Sequence, residues 1–205
     1  MVSRSKQLNN EHLNFTDSSV DAAHEKSQRA SRTVSAREKW VSFIAVFMAA
    51  YGADQLIKYL VQKNMALGES ISVIDGVFRW HYILNPGAAF SIGENHTWVF
   101  TIIMAVAAII CLVCLLRARA FWWVFALSLL LGGIMGNFTD RLLREPGFGV
   151  GHVVDFISVG NFAIFNIADS CICVSMALIV LLVFRGINLD GTRDQTNEPS
   201  KEKIS

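Results

Sequence analysis

Two aspartates in apolar surroundings are the residues of this chain best placed to do chemistry. Asp155 lies between Val154 and Phe156, and Asp169 lies within an apolar run from 162 to 184. An ionised carboxylate in hydrocarbon costs at least about 2.5–3.5 kcal/mol, so such a residue marks a functional site by default. If the two carboxylates meet, they can share one proton and activate a water molecule.

The composition indicates a small membrane protein. The chain has 205 residues, of which 53% are apolar and 17% are charged, and its mean hydropathy is +0.41. These values are too apolar for an ordinary soluble domain. The net charge is +1, so nothing indicates nucleic-acid binding. We expect membrane lipids as neighbours and a monomer.

Metal, redox and serine chemistry have no support in the sequence. The four cysteines lie inside apolar runs, where we expect packing residues rather than reactive thiolates. The five histidines form no ligand spacing, and neither His-Glu-x-x-His nor Gly-x-Ser-x-Gly occurs. We therefore expect no metal and no cofactor.

Four apolar segments predict a mainly α membrane protein, built as a four-transmembrane-helix bundle. They cover residues 40–61, 97–116, 120–138 and 161–184, and each approaches the 20 residues that a span needs. The first segment also resembles a signal peptide, but the 38 residues before it and its length favour an uncleaved helix. Gly132 and Gly136 in the third segment predict close helix packing.

The charge distribution predicts the orientation and the domain boundaries. Residues 1–38 and 186–205 are polar and aperiodic, so we expect disordered tails around a membrane domain at 39–185. Thirteen of the 18 basic residues lie in the tails, directly beside them at Lys39 and Arg185, or between the second and third segments. Basic residues favour the cytoplasm, so both termini are expected there. Both aspartates would then lie near the extracytoplasmic face of the membrane.

Segment 70–92 predicts a small extracytoplasmic β-hairpin. Its apolar residues surround Asp75-Gly76, which is a strong hairpin turn signal. Trp80, Tyr82 and Phe90 are expected at the membrane interface, where aromatic rings collect.

Three further polar groups lie near the same end of the spans. Asp54 and Lys58 have i, i+4 spacing, which fits either a mutual salt bridge or a role in positioning a site. Asn85-Pro-Gly predicts a tight turn, which alone explains the motif unless the turn backbone holds a ligand. Helix capping and interfacial anchoring could explain Arg141, but they explain Asn137, Asp140 and Arg141 together less well.

The fourth segment places Asp169 roughly 10 Å below its start, at 1.5 Å per residue. Asn166 would lie on the same helix face and orient the carboxylate. Structural pairing of Asp169 with Arg141 and a proton or ion relay are the alternatives.

Taken together, five stretches resemble the lipoprotein signal peptidase family, also called signal peptidase II. They occur in family order, cover roughly residues 40–185, and read Asp54-Gln-Leu-Ile-Lys58-Tyr, Asn85-Pro-Gly-Ala-Ala-Phe-Ser91, Gly132-Gly-Ile-Met-Gly-Asn-Phe-Thr-Asp-Arg141, Val153-Val-Asp-Phe156 and Phe165-Asn-Ile-Ala-Asp169. Five motifs in order on four spans are far more specific than any one of them.

The resemblance implies an intramembrane aspartyl endopeptidase. It would remove the signal peptide from bacterial prolipoproteins carrying a diacylglyceryl group, cutting just before the lipobox cysteine. The family's catalytic pair corresponds to Asp155 and Asp169, and its small β-cradle corresponds to the predicted hairpin. The substrate-binding or supporting residues would be Asp54, Lys58, Asn85, Gly87, Asn137, Asp140, Arg141 and Asn166.

Two departures from the family and two rival functions accompany this prediction. The N-terminal tail is longer than is usual, and the stretch from 157 to 164 is short. A proton-coupled transporter would place carboxylates near the membrane midplane and often has an internal repeat, whereas no repeat is visible here. A non-catalytic assembly protein would leave the outward Asn, Asp and Arg residues without a purpose.

Overall fold

The computed structural model of the protein describes residues 32–87 and 97–193. Within them lie four helices: α1 Ala36–Asn64, α2 Thr97–Arg117, α3 Phe121–Leu143 and α4 Ile167–Phe184. Each is long and apolar enough to cross a membrane. Helix α3 packs against each of the other three helices, and it is by far the most buried of the four. The predicted bundle is confirmed, with α3 at its centre.

Small residues let the central helix approach its neighbours. A Cβ added to Gly132 would lie 2.8 Å from the Cβ of Ala50 on α1. A Cβ added to Gly133 would lie 2.6 Å from the carbonyl oxygen of Ala168 on α4. Such distances leave no room for a side chain. The close packing predicted at Gly132 and Gly136 is observed, because a Cβ added to Gly136 would lie 2.6 Å from a carboxylate oxygen of Asp54. Gly133 adds a close contact that was not predicted.

Capping residues set two helix starts that hydropathy alone misplaces. Ser35 caps α1, because its Oγ accepts from the backbone N–H of Glu38 while the Glu38 carboxylate accepts from the N–H of Ser35. This capping box starts the helix at Ala36, four residues before the predicted start. Asn166 and Asp169 form the same box at α4. The fourth helix therefore begins at Ile167 and not at residue 161.

A three-stranded antiparallel sheet covers one end of the bundle. Its strands are β1 Ser70–Ile74, β2 Phe78–Asn85 and β3 Val153–Val159, in the order β1-β2-β3. The predicted hairpin is confirmed as β1 and β2, with Gly76 at φ +73° in the turn. Strand β3 was not predicted, because its partner β2 lies some 70 residues away in the sequence.

An apolar cluster fixes the sheet to the helices. Tyr82 of β2 and Val154 and Phe156 of β3 pack with Val61 of α1, and the ring of Trp80 stacks on Phe156 at 5.7 Å between centroids. The side chain of Asp155 therefore points to the opposite face from Val154 and Phe156, since neighbouring residues alternate along a strand.

Two short segments assigned to disordered tails are folded against the bundle instead. The backbone of residues 32–34 hydrogen-bonds to Arg119 and Phe121. After α4, the carbonyl of Ile187 accepts from the indole N–H of Trp123 at 2.8 Å. Buried apolar side chains, such as Ile187, explain this packing. Residues 35–38 of the predicted N-terminal tail form the cap and the first turn of α1, and residues 1–31 and 194–205 lie outside the described residues.

Candidate active site

Asp155 and Asp169 come from different elements and are connected by one side chain. The amide nitrogen of Asn166 donates to Oδ1 of Asp155 at 2.7 Å. The amide oxygen of Asn166 accepts from the backbone N–H of Asp169 at 3.0 Å. Asp155 lies in the middle of β3, and Asp169 lies in the first turn of α4. The carboxylate of Asp169 in turn accepts from the backbone N–H of Asn166 at 3.1 Å, so Asn166 donates to both carboxylates.

The position of Asp169 corrects the expected depth. The sequence places this residue roughly 10 Å below the start of its helix, but it is the third residue of α4. The preceding residues turn back along β3, where the N–H and C=O of Phe165 bond to Ile157. Apolar composition does not distinguish such a returning strand-like segment from a helix. The correction places both carboxylates at the sheet-covered end of the bundle.

Each carboxylate also accepts a second amide hydrogen bond. Asn85 at the end of β2 donates to Oδ2 of Asp155 at 2.9 Å. Asn137 of α3 donates to Oδ1 of Asp169 at 2.7 Å. The amide nitrogen of Asn166 also reaches Oδ1 of Asn137 at 3.0 Å. Three asparagines therefore form one continuous network that orients both acids.

Burial favours the protonated form of Asp155. The side chain is only 2% exposed, and burial, followed by the charge of nearby Asp169, raises the pKa of Asp155 to about 7. Hydrogen bonds from Asn85 and Asn166 act in the opposite direction, because they stabilise the carboxylate. Asp155 can therefore hold a proton near neutral pH, which a lone exposed aspartate would lose.

A fully buried cluster of charged side chains contacts the asparagine network. The ammonium of Lys58 lies 2.8 Å from both Asp54 and Asp140 and donates to Asn137 at 2.9 Å. The other oxygen of Asp54 accepts from the backbone N–H of Ala168 at 2.9 Å. The predicted pairing of Asp54 with Lys58 is confirmed. Its contacts with Asn137 and with the start of α4 connect the pair to the site as well.

Arg141 binds backbone carbonyls rather than a carboxylate. Its guanidinium donates to the carbonyl oxygens of Asn85, Pro86, Gly87 and Gly151 at 2.5–3.2 Å. The turn predicted at Asn85-Pro-Gly is thereby fixed, and the N–H of Gly87 closes it onto Oδ1 of Asn85 at 3.0 Å. Among the described residues no ion pair joins Arg141 to Asp169, in contrast to the structural alternative. Residues 88–91 of this motif lie outside the described residues.

The two acids face an apolar cavity of about 540 Å³. Asn85, Gly87, Asn137 and Arg141 line it on the polar side. Its apolar walls include Phe100, Met104, Val153, Phe162, Ile164, Phe165, Cys173 and Val174. The cavity can thus take an extended apolar segment while presenting two acids at one point.

Sequence reasoning missed several contributors to this region. Gln55, next to Asp54 in its motif, donates to Asp54 and to the carbonyl of Gly136. Cys173, expected only to pack, lines the cavity together with Phe100. No local pattern marks these residues, because their role depends on contacts between distant elements. Within the described ranges, no three His, Cys, Asp or Glu side chains are grouped to hold a metal ion.

Comparisons with known proteins agree with the motif order. The family model described as signal peptidase (SPase) II matches residues 46–185. The lipoprotein signal peptidase of Leifsonia xyli subsp. xyli is 43% identical over 166 residues, which cover 80% of this chain and 77% of that protein. The lipoprotein signal peptidase of Streptomyces griseus subsp. griseus is 38% identical over 183 residues, covering 89% and 92%.

A solved structure has the same architecture. A bacterial membrane enzyme determined by the in meso method at 2.3 Å resolution aligns with a TM-score of 0.63 and 29% identity, covering 75% of this chain and 92% of that one. The matched family region contains both aspartates, the three asparagines and the buried charge cluster. The fold, the order of the motifs and the matched relatives therefore agree, and this chain belongs to the signal peptidase II family.

Proposed function

We propose that Asp155 and Asp169 are the catalytic pair of an intramembrane aspartyl endopeptidase. It removes the signal peptide from diacylglyceryl-modified bacterial prolipoproteins and cuts just before the lipobox cysteine. The observation that carries this proposal is that Asn166 donates to both acids, from its side-chain amide to Asp155 and from its backbone N–H to the carboxylate of Asp169, at the wall of an apolar cavity.

The chemistry follows from two acids that share a proton. Two nearby carboxyl groups in a low dielectric do not both ionise cheaply, so the pair holds one proton. The ionised member takes a proton from water as the water oxygen attacks the scissile carbonyl carbon, and the protonated member gives its proton to the carbonyl oxygen. The C–N bond then breaks as the first acid gives its new proton to the leaving amine, while a hydroxyl of the intermediate returns a proton to the second acid. The pair thus ends with one proton, as it began. The raised pKa of Asp155 supports a proton on the pair at neutral pH, although the titration belongs to the pair as a whole.

The supporting residues act by orienting these acids. Asn85, Asn137 and Asn166 donate to the carboxylates, and each hydrogen bond fixes the direction of a lone pair. Asp54, Lys58 and Asp140 hold Asn137 and the start of α4. Arg141 holds Gly87 and the rest of its turn. None of these side chains takes part in a bond-breaking or proton-transfer step, but the geometry of the two acids depends on each of them.

The proposed orientation in the membrane is supported by which residues share an end of the bundle. The ammonium of Lys39 donates to the carbonyl of Leu116, and the N–H of Arg119 donates to Leu189. These basic segments therefore lie together, and the sheet and both acids lie at the other end. The positive-inside rule then favours cytoplasmic termini and an active site near the extracytoplasmic face.

The proposal includes a monomeric enzyme with a membrane peptidase domain at 39–185, which the folded residues 32–38 and 186–193 extend at its two ends. Asn85, Asn137 and Asn166 of this chain supply donors to both acids, which supports a site built within one subunit. Membrane lipids would surround the exposed apolar residues of α2, such as Ile103, Ile109 and Ile110. The polar tails outside this domain would remain in the cytoplasm.

The decisive experiment uses purified protein in phospholipid nanodiscs and a lipobox peptide whose cysteine carries a diacylglyceryl group. Asp155→Asn and Asp169→Asn keep the side-chain shape but remove the acid. Each should lower the cleavage rate by about 10²–10⁴-fold, the usual size of a general acid–base contribution. Mass spectrometry should locate the cut just before the modified cysteine in the parent.

Asp75→Asn is the matched control, because this carboxylate lies exposed in the hairpin turn and contacts only Ser72 among the described residues. It should cleave like the parent. Cleavage that survives in either active-site variant, or a folded parent that does not cleave, would reject the proposed pair. Loss of folding in Asp169→Asn would instead favour a structural role for that residue.

A further inference from the structure

A second cavity lies at the end of the bundle opposite the two acids. Its volume is about 440 Å³. Three arginines from separate segments line it together with an aromatic and an aliphatic surface. We call this cavity the arginine groove and define it by Arg32, Arg185, Arg193, Trp122, Leu178 and Leu181. The peptidase chemistry proposed above uses none of these residues.

Backbone contacts hold the three arginines at the groove. The carbonyl of Arg32 accepts from the N–H of Phe121 at the start of α3. Arg185 is the C-cap residue of α4, and Arg193 pairs with Ile187 in a short β-bridge. The three segments that carry these arginines are therefore ordered parts of the fold.

The positive charge of the groove is largely uncompensated. Within the described part of the chain, the ion pair at these arginines is Arg32 with Glu38, at 3.4 Å between two largely exposed side chains. Such a pair contributes little. In the same part of the chain, neither Arg185 nor Arg193 has a carboxylate partner. Three guanidiniums around one cavity therefore favour an anion, and planar guanidiniums suit a phosphate in particular.

The remaining walls favour a lipid over a soluble anion. Leu178 and Leu181 belong to α4, a helix that is long and apolar enough to cross the membrane. Leu181 is 44% exposed and Trp122 is 50% exposed. Tryptophan collects at the level of lipid headgroups, and basic pockets between spanning helices bind acidic headgroups. The groove thus offers a phosphate site at its end and an acyl-chain surface along α4.

We propose that the arginine groove is a binding site for an anionic glycerophospholipid. The headgroup phosphate contacts Arg32, Arg185 and Arg193, and one acyl chain lies against Leu178, Leu181 and Trp122. The bound lipid connects the start of α3, the end of α4 and the segment before α1, which meet at this groove.

Native mass spectrometry of the full-length protein in detergent tests the proposal with three probes. Phosphatidylglycerol should bind in a saturable one-to-one manner. Phosphatidylcholine of the same acyl chains tests the need for net charge, and glycerol 3-phosphate tests the need for acyl chains. Both should bind at least about tenfold more weakly than phosphatidylglycerol.

Arg185→Gln combined with Arg193→Gln should weaken phosphatidylglycerol binding by about 10–30-fold, since each basic residue at a membrane surface contributes roughly fivefold. The charge-matched control combines Arg117→Gln with Arg119→Gln, two exposed arginines at the same end but outside the groove. That control should bind like the parent. Circular dichroism and peptide cleavage should show that both double variants keep the parental fold.

Four results would overturn the proposal. Equal binding by the groove variant and the parent would exclude these arginines, and equal loss in the control would indicate a diffuse charge effect. Glycerol 3-phosphate binding as tightly as the lipid would indicate a site for a small soluble anion. No binding of phosphatidylglycerol by the folded parent would exclude a lipid site at the groove.

Discussion

Lys58 donates a hydrogen bond to Oδ1 of Asn137 at 2.9 Å, and this contact determines which end of the Asn137 amide faces Asp169. An ammonium group only donates, so the atom beside it must be the amide oxygen. The amide nitrogen is thereby directed to Oδ1 of Asp169, at 2.7 Å. The other contacts of Lys58 are the carboxylates of Asp54 and Asp140. One buried charge thus controls the orientation of a side chain at the proposed active site.

The first prediction concerns this buried charge. Lys58→Met should lower the free energy of unfolding by about 3–5 kcal/mol, because removal of one partner leaves buried carboxylates without compensation. Cleavage should fall with it, since the Asn137 amide is no longer held. Thermal unfolding in detergent and cleavage of the lipobox peptide measure the two effects.

Lys63→Met is the control for the Lys58 variant, because Lys63 is exposed near the end of the same helix. Its stability should stay within about 0.5 kcal/mol of the parent. If Lys58→Met unfolds and cleaves like the parent, the cluster has neither the structural nor the orienting role given to it.

The second prediction separates the two roles of Asn166, which caps α4 and donates to Asp155. Asn166→Ser keeps a capping oxygen but loses the amide donor. It should therefore fold within about 1 kcal/mol of the parent and yet lower kcat. Asn166→Ala should lose the cap too, at a further cost of about 0.5–2 kcal/mol.

The pH profile distinguishes orientation from simple destabilisation in these Asn166 variants. The hydrogen bond from Asn166 lowers the pKa of Asp155, so its loss should move the alkaline limb of the rate profile to higher pH. An unchanged kcat and an unchanged limb in Asn166→Ser would show that the residue is a helix cap alone.

The sequence predicts the residue types at the site better than it predicts their placement. Both aspartates, the asparagines and the Asp54–Lys58 pair are marked by polarity within apolar segments and by i, i+4 spacing. The four spans follow from hydropathy, and the first hairpin follows from Asp75-Gly76. These signals are local in the sequence, and the helices, the hairpin and the ion pair that they predict are observed in the structure.

The start of α4 and strand β3 could not be predicted, because neither depends on local composition. Residues 161–166 are as apolar as a helix, but they turn back because Phe165 bonds to Ile157. Strand β3 exists through its pairing with β2 across a long sequence separation. The cavity is likewise formed by side chains from distant elements, such as Phe100 and Val174.

The third prediction is the pH dependence of cleavage. The pKa of Asp155 is raised to about 7 by burial and by Asp169, and the proposed mechanism needs one proton on the pair. The value of kcat/KM should therefore fall above about pH 7, approaching tenfold per pH unit once the proton is lost. Initial rates of peptide cleavage, measured in a series of buffers between about pH 5 and 9, test this alkaline decrease in kcat/KM.

The pH dependence of the free energy of unfolding provides a second test of whether Asp155 is protonated in the folded protein. The folded protein holds the Asp155 proton up to about pH 7, whereas the ordinary pKa is 3.8. Between these values the unfolded chain has fewer bound protons, so the free energy of unfolding falls as pH rises and then levels off. The decrease is on the order of 4 kcal/mol.

Asp155→Asn should lack this decrease in stability, while Asp75→Asn should retain it. Thermal unfolding of the parent and both variants at about pH 4 and 8 provides the comparison. The opposite result is a free energy of unfolding that rises from the lower to the higher pH more steeply in the parent than in Asp155→Asn. That result would show that the Asp155 carboxyl is ionised in the folded protein.

The fourth prediction concerns the turn that presents Asn85 to Asp155. Arg141 holds this turn by donating to four carbonyl oxygens, including those of Asn85 and Gly87. Lysine keeps the charge, but it has one nitrogen and no planar fork, so Arg141→Lys cannot satisfy this spread of acceptors. The turn should loosen, and kcat should fall by about 10–100-fold, which corresponds to roughly 1.4–2.7 kcal/mol of lost transition-state stabilisation.

Arg144→Lys is the matched control for Arg141→Lys, since it lies one turn further along the chain. Its guanidinium contacts the carboxylate of Asp140 and the amide oxygen of Gln62, and a lysine can still reach the carboxylate as a point charge. The control should keep most of the parental kcat. If Arg141→Lys instead raises KM at unchanged kcat, Arg141 contacts the substrate directly, because the loss of a positioning contact would appear in the chemical step.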